Sequence, residues 1–435
     1  MSRLVQYKIT NAHARLFAPL FAPLCGLLLA LLVLQPWQSQ AGELTSWLEL
    51  QAKGEFGWVQ HSEQNDNLAA WWQRGTGQLA INEDRLTTGP LLAALQVNTD
   101  TAWSARLHLS HQQAQDDASG VTEAWLQYQP LPFNGYRLKA RAGWFYPALS
   151  LENTDTVWSS PYSSTFSAIN SWYAEELRAK TLEFNISRPG RSFASDHSWQ
   201  GVLGVFRGND PLGSLISWRG FAIHNLQTRI GGRIDFANYP SLRRFPLDLQ
   251  PDWVEPFTEL DDHTGFYSGV HYLYQQNTEV RWYHYDNRAD PTVFRQGQYA
   301  WLNRFEQLAF QQQLTERLRF VSQWLDGKTE MGFKTVLVDY QAAYLLLNYQ
   351  YDQWQATVRY DHWQQWDRDD TIGDDNSGRG HSWTLALQYQ LSDQWTVLSE
   401  FSRMNSHQAS RGQWQNWPLQ RNFYQSQLSL VWRFD

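Results

Sequence analysis

The chain has 435 residues and is acidic, with 43 Asp and Glu against 35 Lys and Arg. An acidic chain without a basic tract is a poor nucleic-acid binder, so we exclude nucleic acid as a partner. Its single cysteine, Cys25, excludes disulfides within the chain and thiolate metal sites. Aromatic residues are abundant, with 24 Trp, 20 Tyr and 22 Phe, yet the chain is hydrophilic on average. This combination is typical of a transmembrane β-barrel, which has aromatic girdles and a polar lumen.

Residues 1–41 have the pattern of a secretory signal peptide: three basic residues, an apolar run at 16–34 and then the small residues SQA. A membrane-spanning helix is the alternative, because the run reaches the roughly 18 residues that such a helix needs. Two prolines interrupt the run, however, and its unbroken part, 24–34, is too short to span a membrane. We therefore expect export with cleavage near Ala41, which leaves 42–435 as one domain.

From residue 101 onwards, segments of about ten residues alternate between apolar and polar side chains. In TAWSARLHLS, Arg106 and His108 share the polar face. Successive side chains of a strand point to opposite faces, and about ten residues let a tilted strand cross a membrane. The same pattern is found in segments 101–110, 181–187, 353–363 and 382–391. We predict an all-β, antiparallel up-and-down transmembrane barrel, with Arg106 and His108 lining its pore.

The stretch YRLKARAGWF, residues 136–145, places three cations on one strand face: Arg137, Lys139 and Arg141. Each cation would cost roughly 2–4 kcal/mol if it faced lipid at the bilayer midplane. The cationic face is therefore expected to look into an aqueous lumen as part of the pore wall. The alternative is that the three cations only pair with acids on neighbouring strands, such as Glu123.

The connections between the predicted strands differ in length. Short turns are predicted at 98–101, 275–278, 351–352 and 391–393, and long polar loops at 61–76, 145–178, 208–262, 364–379 and 404–419. Short turns at one end and long loops at the other are typical of periplasmic and extracellular ends. Counting hairpins gives sixteen strands, or eighteen if the ambiguous segment 212–236 adds a pair. A β-propeller and a β-sandwich are weaker alternatives, because the Trp-Asp repeat signature is absent and the chain is too long for one sandwich.

In the segment 353–363, Arg359 and Asp361 lie on the polar face, and we expect both to line the pore. Five aspartates between 367 and 375 could bind calcium or the cations that bridge lipopolysaccharide, but their spacing does not fit a calcium-binding loop. We therefore expect a solvated acidic loop and no metal. The sequence contains neither HExxH nor GxSxG, and no carboxylate pair stands out, so we predict no enzymatic activity and no cofactor.

The C-terminal segment YQSQLSLVWRFD alternates up to the end of the chain. The apolar face carries Tyr424, Leu428, Leu430, Trp432 and Phe434. This segment resembles the terminal strand by which outer-membrane barrels are recognised for assembly, although that pattern usually ends on the aromatic residue and here Asp435 follows. The resemblance implies the outer membrane of a Gram-negative cell as the location.

The segment RAGWFYPALSLEN, residues 141–153, is similar to the strand-to-loop passage of phosphate-selective porins, in which a glycine-and-aromatic strand end runs into Pro and then Ser-Leu-Glu. Together with the hairpins and the terminal strand, it makes the chain resemble the outer-membrane porin superfamily. The resemblance implies a sixteen-stranded channel, often a homotrimer, whose lumen cations draw anions. By position these cations are Arg137, Lys139 and Arg141.

In porins one long loop commonly folds inward, and 145–178 is the candidate here. Its end, SWYAEELRAK, would then bring Glu175, Glu176 and Arg178 opposite the cation row. Opposed charges across a constriction tune ion selectivity. The alternative is that this loop is exposed on the extracellular side.

The leading hypothesis is a porin-like channel for passive diffusion of small hydrophilic solutes, with a lean towards anions, surrounded by outer-membrane lipid and lipopolysaccharide. A polysaccharide export barrel is an alternative, and it would have a wider and more uniformly basic lumen. A structural or binding barrel with a plugged lumen is the third hypothesis.

Overall fold

The computed structural model describes residues 47–62, 73–81, 84–112 and 118–434. The predicted signal peptide, 1–41, lies outside the described residues. Within them, sixteen antiparallel strands form one barrel. The strands are β1 (Leu48–His61), β2 (Arg85–Thr88 continued by Leu91–Asn98), β3 (Trp103–His111), β4 (Ser119–Tyr128), β5 (Arg137–Phe145), β6 (Ala179–Arg188), β7 (His197–Arg207), β8 (Gly265–Tyr274), β9 (Thr278–Asp286), β10 (Leu302–Gln313), β11 (Leu318–Met331), β12 (Val336–Tyr351), β13 (Trp354–Asp367), β14 (Gly378–Gln390), β15 (Trp395–Gln408) and β16 (Gln420–Phe434).

Backbone pairing closes the barrel. Each strand pairs with the next one in the chain, and β1 pairs with β16 from Ala52 opposite Phe434 to His61 opposite Gln425. Closure gives both edge strands a hydrogen-bonding partner. A membrane barrel needs this, because the hydrocarbon of the bilayer cannot form hydrogen bonds with free backbone N–H and C=O groups. The predicted barrel and its sixteen strands are confirmed, and the propeller and the sandwich are wrong.

The strands alternate as predicted, with the apolar face turned outward. On β14, Leu385 is 47% exposed on the outer wall, whereas its neighbour Thr384 is 1% exposed. On β13, Trp354 and Val358 lie on the outer wall in the same way. An apolar outer face matches the hydrocarbon that surrounds a membrane barrel. No helix in the described part of the chain is both long enough and apolar enough to span a membrane.

Two long loops carry the helices that pack inside the barrel. The β5–β6 loop, residues 146–178, contains helix α1 (Ala168–Glu176), and the β7–β8 loop, residues 208–264, contains helix α2 (Ser214–Trp218). The segment 212–236 therefore forms a helix, irregular structure and the two-residue strand Ile234–Asp235. That strand pairs with Trp253–Val254 outside the barrel sheet, so the eighteen-strand alternative is wrong. The apolar residues of 212–236 do not alternate, because the lumen buries them on several sides.

A hydrophobic core lies inside the barrel, between these loops and one side of the wall. Trp172 of α1 and Trp218 of α2 are both 0% exposed. Trp172 packs edge-on against Phe305 of β10 and Tyr340 of β12, with ring centroids 5.7 and 5.5 Å apart. Inward positions on β10 to β13 are often apolar because a loop contacts them instead of water. An apolar core therefore fills part of the lumen, whereas the sequence led us to expect a polar lumen.

Candidate functional site

The cationic row lies on the inner face of β5. Leu138 is 48% exposed on the outer wall, whereas Arg137, Lys139 and Arg141 point inward and are half-buried. The alternation of a single strand produces this arrangement. Half-buried cations inside a barrel remain within reach of water and of a solute.

The three cations of the row differ in their partners. Arg141 donates a hydrogen bond to Glu183 on β6 at 3.1 Å, and its guanidinium lies 3.6 Å from the centre of the Phe145 ring. Among the described residues, neither Arg137 nor Lys139 has a carboxylate within ion-pair distance. The positive charge of the row is therefore only partly neutralised.

Two arginines from other strands also point into the lumen. Arg106 on β3 donates to two glutamine side chains at 2.9 and 3.1 Å, which hold its guanidinium against the wall. Arg281 on β9 forms an ion pair with Glu279 at 2.6 Å and donates to the backbone carbonyls of Ala148 and Ser150 at 3.1 and 2.9 Å. Only Arg106 therefore adds to the positive surface. Our sequence expectations did not include Arg281, although the alternation in TEVRWYHYD could have revealed it.

His108 lies beside Arg106 on the same face but deeper in the protein. Its Nδ1 is 2.8 Å from the carboxylate of Glu123, and both side chains are buried. Glu123 also accepts the backbone N–H of Tyr146 at 2.7 Å. The carboxylate offered above as a partner for the cation row therefore binds His108 and the beginning of the β5–β6 loop.

The β5–β6 loop crosses the lumen and is fixed to the wall by ion pairs. Asp155 accepts Lys53 of β1 at 3.0 Å and Arg433 of β16 at 3.4 Å. Burial alone would raise the pKa of Asp155, but these two cations outweigh it and hold the pKa at about 2. The carbonyl of Pro161 accepts two glutamine side chains of β13 and β14 at 2.8 and 3.0 Å. The loop is thus anchored on several sides of the barrel.

Arg359 and Asp361 form the most buried of these anchors. Arg359 donates to Glu152 of the loop and to Asp361, both at 2.8 Å, and all three side chains are 0% exposed. It also donates to the carbonyls of Thr165 and Phe166 at 2.7 and 2.9 Å. The structure places both sequence-predicted residues on the inner face, where they contact the loop.

Asp361 in addition accepts the backbone N–H of Ala168 at 3.0 Å, at the first turn of α1. A carboxylate at a helix N-terminus is stabilised by the unpaired N–H groups and by the helix dipole. The pair Arg359 and Asp361 therefore fixes both the path of the loop and the position of its helix.

The β5–β6 loop does enter the lumen, and its three predicted charged residues are buried there. Glu175 accepts both guanidinium nitrogens of Arg219 in the β7–β8 loop, at 2.8 and 2.6 Å, and lies 3.1 Å from His224 Nε2. Burial would raise the pKa of Glu175, but Arg219 and His224 bring it below its ordinary value. Glu175 thus joins one inward loop to the other.

Glu176 and Arg178 have separate partners. Burial raises the pKa of Glu176 to about 8, and its carboxyl group accepts the indole N–H of Trp172 at 2.6 Å. Arg178 donates to the backbone carbonyls of Thr122, Ala174 and Thr228. All three predicted constriction residues are at most 1% exposed, and their contacts are with the loops and with β4.

One carboxylate cluster has the spacing of a metal site. Asp210, Glu259 and Asp261 bring one oxygen each within 4.8 Å of the others. Burial and the two neighbouring carboxylates raise the pKa of Asp210 to about 7. Backbone N–H groups already bind these oxygens. One of them is the N–H of Gly208, which lies 2.8 Å from a carboxylate oxygen of Glu259.

The five aspartates between 367 and 375 lie in a different loop. They border a surface depression together with Ser241 and Gln413.

Comparisons with solved structures reveal barrels of the same form. The outer membrane channel DcaP of Acinetobacter baumannii superimposes with a TM-score of 0.53 at 9% identity, covering 89% of this chain and 97% of that one. A loop-deletion mutant of OmpT, an outer membrane protein of Vibrio cholerae, gives 0.51 at 7% identity and covers 89% and 99%. The trimer form of that OmpT gives 0.50 at 8% identity with the same coverage.

No protein-family model matches the chain, and no curated protein matches it in sequence. The similarity to solved structures therefore concerns the fold. The chain has the fold of an outer-membrane β-barrel, here with sixteen strands.

Proposed function

We propose that this protein is an outer-membrane channel for small hydrophilic solutes with a preference for anions. The observation that carries the proposal is the inward, half-buried row of Arg137, Lys139 and Arg141, extended by Arg106. In a narrow lumen with low-dielectric walls, charges of one sign focus the field and raise the local concentration of counter-ions. The similarity in fold to DcaP, described as an outer membrane channel, supports the channel part of the proposal.

The inward loops restrict the passage. The hydrophobic core around Trp172 contacts the inner wall from β7 to β13, while Arg106 lies on β3 and the row of Arg137, Lys139 and Arg141 lies on β5. We therefore expect solutes to pass along the cationic side and the single-channel conductance to be small. A polysaccharide export barrel would need a wide lumen, which this core opposes.

A second candidate function is a plugged barrel with a structural or binding role. The observation in its favour is the same core, in which Trp172, Trp218 and Tyr340 are 0% exposed inside the barrel. A core of this kind resists penetration by water, because apolar surface removed from water contributes about 25 cal/mol per Å². The two candidates differ in whether the cationic side conducts.

Planar-bilayer recording of the refolded protein tests both candidates. The wild type should show small open steps and a reversal potential on the anion side in a KCl gradient. The variant R137Q/K139Q should shift this potential towards cations, because it removes the two cations without ion-pair partners. The control R304Q/R368Q removes two outer-wall arginines that are paired with acids, and its potential should equal that of the wild type.

Two outcomes would contradict the proposal. A membrane that stays silent with correctly folded wild-type protein would favour the plugged barrel. An unchanged reversal potential in R137Q/K139Q would remove these residues from the selectivity mechanism.

Location and assembly belong to the same proposal. We expect the protein in the outer membrane of a Gram-negative cell, surrounded by lipid and lipopolysaccharide and assembled as a homotrimer, as the trimer form of OmpT suggests. Kinship with phosphate-selective porins rests on RAGWFYPALSLEN alone. The proposal includes neither enzymatic activity nor a cofactor. Mass photometry in detergent would test the trimer, and a monomeric mass would contradict it.

A further inference from the structure

The outer wall at the loop end of β13 to β16 carries a patch built from three rows of outward side chains. Strand register aligns these rows across the four strands, and directly opposite residues have Cβ atoms about 5 Å apart. The rows are Tyr360, Trp383, Arg403 and Tyr424; His362, His381, Asn405 and Asn422; Gln364, Arg379, His407 and Gln420. We call this surface the basic patch, because it contains two arginines and three histidines and no acid.

The two arginines of the basic patch are exposed and lack partners. Arg379 and Arg403 make no ion pair and no side-chain hydrogen bond within the described part of the chain. Arginine is a donor whose planar fork suits phosphate and carboxylate. Two unpaired guanidinium groups on a membrane-facing wall therefore indicate an anion that comes from outside the protein.

Other outward basic side chains of the wall behave differently. Arg304 lies 3.0 Å from Asp286, and Arg368 lies 2.8 Å from Asp339. The outer His284 is likewise 2.6 Å from a glutamate. Each of these three side chains is matched by an acid within the protein, whereas Arg379 and Arg403 are not.

The level of the basic patch fits the headgroup region. Trp395 begins β15 at the turn end, and Arg403 comes eight residues later, about 20 Å further along the barrel axis for a tilted strand. Trp383 and Tyr360 lie in the same row as Arg403, with ring centroids 4.8 Å apart, where an aromatic girdle is expected. The remaining cations lie above this girdle, on the side of the long loops.

A groove of mixed polarity adjoins the patch. Arg403 lines it together with Phe401, Pro418 and Tyr424, and with polar side chains that include Gln420 and Asn422. A guanidinium beside aromatic rings can bind a phosphate group and at the same time contact the first part of an acyl chain.

We propose that the basic patch binds a phosphate group of lipid A in the outer leaflet, with an acyl chain in the adjoining groove. Arg379 and Arg403 hold the phosphate, and the imidazole N–H groups of His362 and His381 supply further donors. The proposal rests on the proposed outer-membrane location, but it does not depend on whether the barrel conducts.

Native mass spectrometry of the purified protein in detergent tests this proposal. Bisphosphorylated lipid A should bind, and its dephosphorylated form should bind at least tenfold more weakly. The variant R379Q/R403Q should lose at least tenfold in affinity, whereas R304Q/R368Q, which loses the same charge from paired sites, should bind like the wild type. Heat-modifiable mobility on gels verifies that each variant is folded.

Three results would overturn the inference: equal binding by the wild type and R379Q/R403Q, equal binding of phosphorylated and dephosphorylated lipid A, or equal loss in R304Q/R368Q. Phosphatidylglycerol is the competing anionic lipid, and displacement of lipid A by an equimolar amount of it would also overturn the assignment to lipid A. Recording conductance on the same samples separates this inference from the proposed channel function. Lipid A binding can fail while the channel conducts, and lipid A can bind to a barrel that does not conduct.

Discussion

The substitution Arg359→Met should release the β5–β6 loop from the barrel wall. Methionine keeps an unbranched stem but removes the charge and the donors to Glu152, Asp361 and the loop carbonyls. Both carboxylates are 0% exposed, so the variant leaves them buried without their cation. Removing one partner of a buried ion pair costs about 3–5 kcal/mol. Each 1.4 kcal/mol is a factor of ten, so the population with an undocked loop should rise by roughly two to four orders of magnitude.

Limited proteolysis of the folded barrel measures this effect, since cleavage within residues 146–178 requires the undocked loop. R359M should be cleaved much faster than the wild type and should show larger open steps in a bilayer. The triple variant E152Q/R359M/D361N removes all three charges together and should recover most of the protection. The control R304M breaks a half-exposed pair, worth about 0.2–1 kcal/mol, and should change little. Cleavage of R359M at the wild-type rate would refute the assignment of Arg359 as an anchor.

Further predictions concern pH and the lipid face. The pKa of Glu176 is about 8 in the docked loop, against an ordinary 4.5 when the loop is undocked. Above pH 4.5 docking therefore requires proton uptake by Glu176. The free energy of docking should become less favourable by up to about 5 kcal/mol as the pH rises from 4.5 to 8. Proteolysis between pH 5 and 9 should show this trend in the wild type and not in E176Q; an identical slope in both would contradict it. Asp155, with a pKa of about 2 against an ordinary 3.8, should contribute about 2 kcal/mol above pH 4 that is lost as pH falls through 2. In D155N the loss of stability between pH 4 and pH 2 should be absent, and the urea midpoint at pH 6 should be lower than that of the wild type. An unchanged midpoint at pH 6 would argue against Asp155 as an anchor of the loop. Leu385→Arg, on the outer wall, should cost about 2–4 kcal/mol in urea unfolding from lipid vesicles, whereas Thr335→Arg in the β11–β12 turn should be nearly neutral.

The barrel can be predicted from the amino-acid sequence. Strict alternation in segments such as 353–363 and 382–391 decides which side chains face out, because neighbouring residues of a strand must point to opposite faces and hydrocarbon rejects charge. The same reasoning put Arg137, Lys139 and Arg141 on the inner face. The inward position of Arg281 could have been predicted in the same way, because the pattern of one strand is enough to assign its two faces.

The contacts of the inner face depend on how the long loops fold, and they cannot be predicted from one strand's pattern. Arg359 reaches Glu152 across 207 positions of sequence, and Glu175 reaches Arg219 in a different loop. Alternation says that a residue points inward, but water, a solute and a folded loop are all inside the barrel. The loops lack periodicity because they are buried on several sides, so their paths follow from packing of Trp172, Phe305 and Tyr340 rather than from local pattern.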